Sequence, residues 1–373
     1  MIYLDAGATT LQKPRTVPSA VAEAVRTLSS PGRGSSQATR SAERVDYQCR
    51  QLAGELFGVE DPSHVVFTFN ATHGLNIAIF TLVHPGSRVV ISGYEHNAVT
   101  RPLHSIADVE LVVLDTPLFQ PEKMVQQLRE ALTQRADAVI INHVSNVFGN
   151  IAPVEELAAI CREKGVPFIL DASQSAGVLP VSMRELGAAF IAMPGHKGLY
   201  GPQGTGLLLC GEGQRPLLYG GTGSVSLLQT MPEELPDRLE AGTHNMPGIA
   251  GLCEGLKFVK SRGVDAIRRH EQTLAQQAIE ELKAIPGMTS FYDGGFQNQT
   301  GALSFIADGE DCEELAEKLS RRGIALRAGL HCAPLAHRTA KTLKTGTIRL
   351  TPSVFNTPGE IRFFAETLRQ VLR

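Results

Sequence analysis

Several reactive side chains stand where an apolar, β-branched run ends. Lys197 lies in PGHKGLYGPQGTG (194–206), directly after AAFIAM (188–193), and Gly198, Gly201, Pro202, Gly204 and Gly206 permit tight turns and close backbone approach there. A lysine so placed can form a Schiff base, and an ordinary solvated lysine in a glycine-rich turn has the same pattern. Asp171, in FILDASQSAG, stands 26 residues earlier at the end of the preceding run. An acid ending a buried strand needs a positive partner or good hydrogen bonds, unless it only caps the next segment. Lysine and aspartate on adjacent strand ends are the pair that pyridoxal 5'-phosphate needs: the carboxylate keeps the ring protonated as an electron sink, and the lysine holds it covalently.

Three further segments fit the same chemistry. FNATHGLNIAIF (69–80) turns from a strand into a helix through Thr72, His73 and Gly74, and a helix N-terminus offers free N–H groups to a phosphate. His96, in YEHNAV just past RVVIS, presents a flat imidazole that could stack on an aromatic cofactor and move protons, or simply cap a helix. Cys332, in RAGLHCAP (327–334), follows His331 and lies near Arg327, and positive neighbours raise a thiol's thiolate fraction. Its place in a turn distinguishes it from Cys49, Cys161, Cys210, Cys253 and Cys312, which sit in helical or strand patterns and read as core fillers.

The elements that must position these residues alternate as βα units. Apolar runs occur at 64–69, 88–92, 109–114, 137–145, 167–173, 188–193 and 205–210, separated by helix-period segments. Continuous hydrophobicity predicts strands covered on both faces, as in a mostly parallel sheet between helix layers, with the active site at strand C-termini. After YGGTGSVS (219–226) a second pattern begins: helix around 247–286, strand at 302–307, helix near 311–322, strands at 324–329 and 347–353, and a last helix from about 358. PEELPDRLEAGTHN (232–245) carries two prolines and mixed charge and reads as an exposed connection.

With 373 residues, 43% hydrophobic and 20% charged, the chain has the material for a large core and no composition for extensive disorder or a coiled coil. A formal charge of −3 gives no overall positive field to hold a phosphate backbone, so nucleic acid is not expected as a partner. No C-x-x-C pair occurs, which argues against a zinc knuckle or disulfide framework, and no metal is expected. MIYLDAGATT lacks the features of a signal peptide and no run of about 18 apolar residues occurs, so a cytoplasmic protein without a membrane span is expected.

Taken in order, Thr72, His96, Asn146, Asp171, Gln174, His196, Lys197, Thr243, Cys332 and Arg349 resemble the class V branch of fold-type I pyridoxal-phosphate enzymes. The chain looks most like the cysteine desulfurase and selenocysteine lyase family, in its group with a short cysteine loop. The likeness runs from YLDAGATT (3–10) through HVSNVFG (143–149), DASQSAG (171–177), GHKGLYGPQGTG (195–206) and EAGTHN (240–245) to RAGLHCA (327–333).

The resemblance implies an α/β fold, with a large cofactor-binding domain over 16–245 built on a mostly parallel seven-stranded sheet. Residues 1–15 and 246–373 would form a smaller α/β domain. Lys197 would hold the cofactor and act as base at the substrate Cα. Asp171 would pair with the ring nitrogen, Gln174 with the ring oxygen, and His96 would stack on the ring with Asn146 nearby. Thr72, His73, His196 and Thr243 would hold the phosphate, Thr243 reaching across a homodimer with shared active sites. Arg349, with Asn146 and Arg327 close by, would bind the substrate carboxylate, a planar task suited to guanidinium. Cys332 would take sulfur from L-cysteine, or selenium from L-selenocysteine, releasing alanine and passing the persulfide to a sulfur-acceptor protein.

Departures from the family pattern are Pro194 where serine is common, Leu330 where histidine is frequent, and shortened stretches at 31–40 and 223–240. Other class V activities (an aminotransferase, an epimerase or a β-eliminating lyase) with Cys332 incidental fit the same fold. So does a non-catalytic sulfur-transfer scaffold.

Overall fold

A strand whose consecutive residues are all apolar has no side for solvent, so it is stable only between two covering layers. A computed structural model, which describes residues 1–32, 34–211 and 213–373, places the predicted runs in that position. In chain order the first part comprises β1 (Ile2–Tyr3), α1 (Thr16–Thr27), α2 (Gln37–Phe57), β2 (Val65–Thr68), α3 (Ala71–Leu82), β3 (Arg88–Ser92), α4 (Asn97–Ser105) and β4 (Glu110–Leu114). It continues with α5 (Pro121–Ala131), β5 (Ala138–Asn142), α6 (Val154–Lys164), β6 (Phe168–Asp171), α7 (Met183–Leu186), β7 (Phe190–Pro194) and β8 (Gly206–Cys210). Every residue of β5, β6, β7 and β8 is buried.

These strands form one sheet in the order β2-β8-β7-β6-β5-β3-β4. β8 runs antiparallel to both neighbours and the remaining pairs are parallel. Alternate side chains feed separate cores: Val90, Val139, Ile141 and Leu170 join α2, α5 and α6, whereas Val89, Ile91, Ile140 and Ile169 join α3 and α4. The chain steps from β3 out to β4 and then back across to β5. That reversal opens a cleft beyond the C-terminal ends of the strands, where ligands of open α/β sheets bind.

The second part contains α8 (Met246–Arg262), α9 (Val264–Lys283), β9 (Met288–Phe291), β10 (Leu303–Ala307), α10 (Cys312–Arg321), β11 (Ile324–Ala325), β12 (Arg327–Gly329), α11 (Pro334–Thr339), β13 (Thr347–Leu350) and α12 (Pro358–Val371). Strands β12-β13-β10-β9 make an antiparallel sheet, and β1 pairs in parallel with β11, Ile2 opposite Ile324. Leu4 therefore belongs to this second core, with Leu274, Ile279, Phe305, Leu315 and Phe364.

The helical pattern predicted for 247–286 is two helices. Gly263 separates them at φ +81°, a conformation that side-chain-bearing residues rarely adopt. α8 buries Met246, Ile249, Leu252 and Leu256 in the core of the seven-stranded sheet, against α1 and α2, whereas α9 packs in the second core. Packing thus assigns 246–262 to the large sheet, although the sequence pattern grouped it with the smaller part. β9 was not among the predicted strands, because MTSF is short and only half-buried, so its apolar period is weak.

Candidate active site

Loops leaving the strand ends converge on a cleft of about 470 Å³, a volume that includes its opening to solvent. Its lining includes Thr72 after β2, His96 after β3, Asn146 after β5, Asp171 and Gln174 after β6, and His196 and Lys197 after β7. Residues scattered over 126 positions of sequence meet because parallel strands deliver their following loops to one edge.

Lys197 sits on a turn that needs its glycines: a Cβ on Gly198 would stand 2.4 Å from the Ala176 carbonyl oxygen. Burial pulls the Lys197 ammonium down to about 8, against the attraction of Asp171, so an appreciable fraction is free amine near neutral pH. Asp171 ends β6, is 2% exposed, and its Oδ1 accepts the Ser173 N–H at 2.9 Å. The capping role and the cleft-facing role therefore belong to the same carboxylate.

His96 is the N-cap of α4, its Nδ1 accepting the Ala98 N–H at 3.0 Å, which leaves the ring proton on Nε2. Burial lowers its pKa to about 4 despite Asp171, with the charges of Lys197, Arg327 and Arg101 helping, so the ring is neutral. His196 is also neutral, held down to about 4 by burial and then by Lys197 and Lys13, and its Nδ1 lies 3.0 Å from Thr9 Oγ1. Gln174 donates from Nε2 to the Gly7 carbonyl at 2.9 Å. Thr72 lies in the first turn of α3, capped by Asn70, whose Oδ1 accepts the His73 N–H at 2.9 Å. That helix directs its positive end at the cleft.

The second part supplies an exposed thiol. Cys332 follows β12 and is the exposed member of the six cysteines, the other five being buried. His331 and Cys332 have φ of +52° and +56°. Two consecutive left-handed residues with side chains cost on the order of 1–3 kcal/mol each and persist only where the surroundings over-determine them. Asn146 Nδ2 donates to the His331 carbonyl at 2.8 Å, and the Asn97 N–H donates to the Cys332 carbonyl at 2.8 Å. The His331 ring stacks on His337, whose Nδ1 lies 2.8 Å from Thr342 Oγ1, and burial keeps both rings neutral. Arg327 Nη2 stands 3.6 Å from Cys332 Sγ.

Arg349 is 1% exposed. Its Nη1 donates to the Asn146 carbonyl at 2.6 Å and its Nη2 to Asp5 Oδ1 at 2.5 Å, while Nε has no partner. It reaches the cleft through Asn146 rather than lining it. Asp5 was missed in the sequence, where it is visible only as an acid ending the run IYL. Glu95 was missed as well: it is fully buried beside His96, bonded to Ser92 Oγ and the Asn142 N–H, and burial pushes it up to about 8.

His73 and Thr243 are not brought to this cleft. Both line a neighbouring cavity of about 510 Å³, together with Phe67, Phe69, Glu240 and His244, and the His73 ring stacks on Phe69 with centroids 4.6 Å apart.

Fold and cleft together define an α/β enzyme whose cleft holds a lysine of lowered pKa and a buried carboxylate, with an exposed thiol carried by a second sheet. The chain belongs to the aminotransferase class-V family, whose profile matches residues 2–364, a family of pyridoxal-phosphate-dependent enzymes. A probable cysteine desulfurase of Methanothermobacter thermautotrophicus is 31% identical over 99% of this chain and 94% of its own. The apo structure of a cysteine desulfurase from Thermococcus onnurineus superposes with a TM-score of 0.91 at 29% identity, covering 99% of this chain and 94% of that one. A cysteine desulfurase from Escherichia coli, in an S-sulfonic acid form, gives 0.87 at 27% identity with the same coverage.

Proposed function

We propose that the protein is a pyridoxal-phosphate-dependent cysteine desulfurase, acting on L-cysteine or L-selenocysteine, releasing alanine and leaving the chalcogen on Cys332. The observation that carries this is the turn at His331–Cys332, tied by Asn146 and Asn97 to the cleft that contains Lys197 and Asp171. A transaminase has no use for a thiol held in a strained turn at that place.

The residues present fit the cofactor. Asn146 Oδ1 is buried without a partner beside the cleft, and amine, carboxylate, flat neutral imidazole and helix N-terminus surround one volume. Lys197 would hold the aldehyde end, Asp171 the ring nitrogen and Gln174 the ring oxygen, with Asn146 nearby, and Thr72 with His196 the phosphate. Bound there, the pyridinium supplies a sink for the electron pair left when Cα loses its proton.

Lys197, with its lowered pKa, is suited to take that proton and return it. Neutral His96, with its proton on Nε2, would cover the ring and donate or accept in the same steps. Arg349 would bind the substrate carboxylate with its free Nε edge, Asp5 holding the far side of the guanidinium, and Arg327 would share the charge. Arg327, with Nη2 3.6 Å from Cys332 Sγ, would also hold the sulfur in place. Cys332 then attacks the substrate sulfur as thiolate: a sulfur–sulfur bond forms, the Cβ–S bond breaks, and its electron pair stays with the carbon skeleton, which gains a proton and leaves as alanine.

Thr243 and His73 fit the same reading in a homodimer, where Thr243 would reach the partner's phosphate. Exposed Leu218, Tyr219, Leu227 and Leu228, close in sequence, support a subunit interface there. No helix among the described residues is long and apolar enough to cross a membrane, and a cytoplasmic place is part of this proposal.

The test is alanine release from L-cysteine and L-selenocysteine by wild type and Cys332→Ala. Loss of the cysteine reaction in the variant, with the cofactor's visible absorption retained, is expected. Full activity of the variant toward L-cysteine would remove Cys332 from the chemistry, and no alanine from either substrate would sink the function.

A further inference from the structure

Beside the cleft lies a second chamber of about 450 Å³, a volume that includes its opening to solvent. Ser173, Gln174 and Lys197 line both, so the two share a wall. The rest of the chamber's wall includes Glu271 of α9 and Tyr200. Gly301 lets α9 come this close, since a Cβ there would stand 2.6 Å from Glu271 Cβ.

Two buried polar side chains of this wall have no partner. Glu271 is 8% exposed, and among the described residues no hydrogen bond or ion pair reaches its carboxylate. Arg268, one turn earlier on α9, donates instead to the Gln297 carbonyl at 3.3 Å. Tyr200 is fully buried and its Oη has no hydrogen-bond partner, the Val354 amide approaching it without meeting hydrogen-bond geometry. Burial raises the Tyr200 pKa and the Glu271 charge adds to it, so carboxylate and phenol are near one another.

A carboxylate taken out of water either stays neutral or gains a cation, and buried polar groups left unpaired mark a site for a partner. Lys197 does not serve: the acids that attract its ammonium are Asp171 and then Asp5. Thr10, Ser173 and Thr300 add hydroxyl oxygens to the carboxylate and the phenol. Oxygen ligands suit hard cations, and one carboxylate balances one positive charge, whereas a divalent ion would keep an uncompensated charge in a buried place.

We propose that this chamber binds one small monovalent cation, of the size and charge of potassium or ammonium, between the Glu271 carboxylate and the hydroxyl oxygens around it. The cation joins α9 and the loop before β10 to the turn that carries Lys197, across the boundary between the two parts of the fold. Nothing in this depends on the chemistry at Cys332.

The test is the apparent Tm of the holoenzyme in about 0.2 M chloride of potassium, ammonium or tetramethylammonium, the last with a methyl shell that keeps its charge from the oxygens. Potassium or ammonium is expected to raise Tm by about 2–4 °C over tetramethylammonium, and the more effective of the two identifies the occupant. In Glu271→Gln, which keeps the shape of the neutral acid, the increment should fall below about 1 °C. Equal Tm values for wild type in the three salts, the outcome for a chamber that holds only water, would overturn the proposal. So would an increment that survives in Glu271→Gln, since that is a bulk salt effect.

A second measurement needs no variant. Burial holds the Glu271 carboxyl up to about 8, so near pH 7 it is mostly neutral and must lose its proton as the cation enters. The other titratable groups lining the chamber are Lys197 and Tyr200. Adding the effective salt to weakly buffered wild-type holoenzyme at about pH 7 should release about one proton per chain more than tetramethylammonium chloride does. No excess release overturns the proposal even if Glu271→Gln fails to fold. Neither readout uses turnover, so failure here is separable from a failure to release alanine.

Discussion

Replacing Lys197 by methionine in the cofactor-free protein isolates the cost of keeping a charged amine in the cleft. Burial lowers this ammonium from 10.5 to about 8 even with Asp171 pulling the other way, so the shift already contains the benefit of that partner. At about 1.36 kcal/mol per pKa unit, holding the charge costs about 3 kcal/mol relative to the unfolded chain. The folded pKa lies below the unfolded one, so the folded state binds fewer protons. The cost is therefore complete below about pH 8 and fades as pH rises toward 10.5. Methionine nearly matches the lysine stem and carries no charge. Cofactor-free Lys197→Met is expected to exceed cofactor-free wild type by up to about 3 kcal/mol at pH 7 and by only about 1 kcal/mol near pH 9.5. Urea unfolding of both proteins at the two pH values measures the margins. A wild type equal to or more stable than the variant at pH 7, or a margin that does not shrink with pH, would show that Lys197 is not desolvated and would remove the physical basis for its free-amine role.

Other expectations follow from the same geometry. Arg327→Ala should slow alkylation of Cys332 by iodoacetamide at neutral pH by about three- to tenfold, with Arg327→Lys keeping part of the rate, since a positive group 3.6 Å from the sulfur assists its attack; an unchanged rate breaks the link between the two. Arg50 is buried against Glu240 at 2.7 Å and Asp46 at 2.8 Å, so Arg50→Met strands two carboxylates and should cost about 3–5 kcal/mol in denaturant unfolding. Adding Glu240→Gln should recover much of that loss, and simple additivity of the two changes would count against the pair. His244 has its pKa raised by the Asp46 carboxylate, 3.5 Å from Nδ1, and then by Glu240, against its burial. Its contribution is fully present below the ordinary histidine value and is lost as pH rises through the raised one. The wild-type Tm should therefore fall toward the Tm of His244→Gln on going from about pH 6 to about pH 9, and parallel curves would refute the assignment.

The sequence revealed the sheet because each central strand is apolar throughout, and the site because a parallel sheet presents the residue after each strand at one edge. Lys197, Asp171 and His96 are of that kind, whereas Asn146 is legible only through the family resemblance. What it hid depends on contacts between distant segments or on orientation within a helix. Thr72 and His73 are neighbours, but successive helical residues point about 100° apart. Thr72 lines the cleft, and the His73 ring turns away onto Phe69. Asp5 and Arg349 are 344 residues apart in the chain, and no local pattern marks an acid near one end as the partner of an arginine near the other.

The turn at His331–Cys332 is the clearest case. Left-handed backbone is ordinarily announced by glycine or asparagine, and here neither residue is one. The conformation is imposed from outside by Asn146, Asn97 and the His331–His337 stack, which belong to three other segments of the fold. The strain of that turn and the position of its thiol are therefore properties of the docked second part rather than of the motif. A peptide carrying RAGLHCAP alone would show an ordinary thiol, and the reactivity expected of Cys332 should disappear with any change that loosens Asn146.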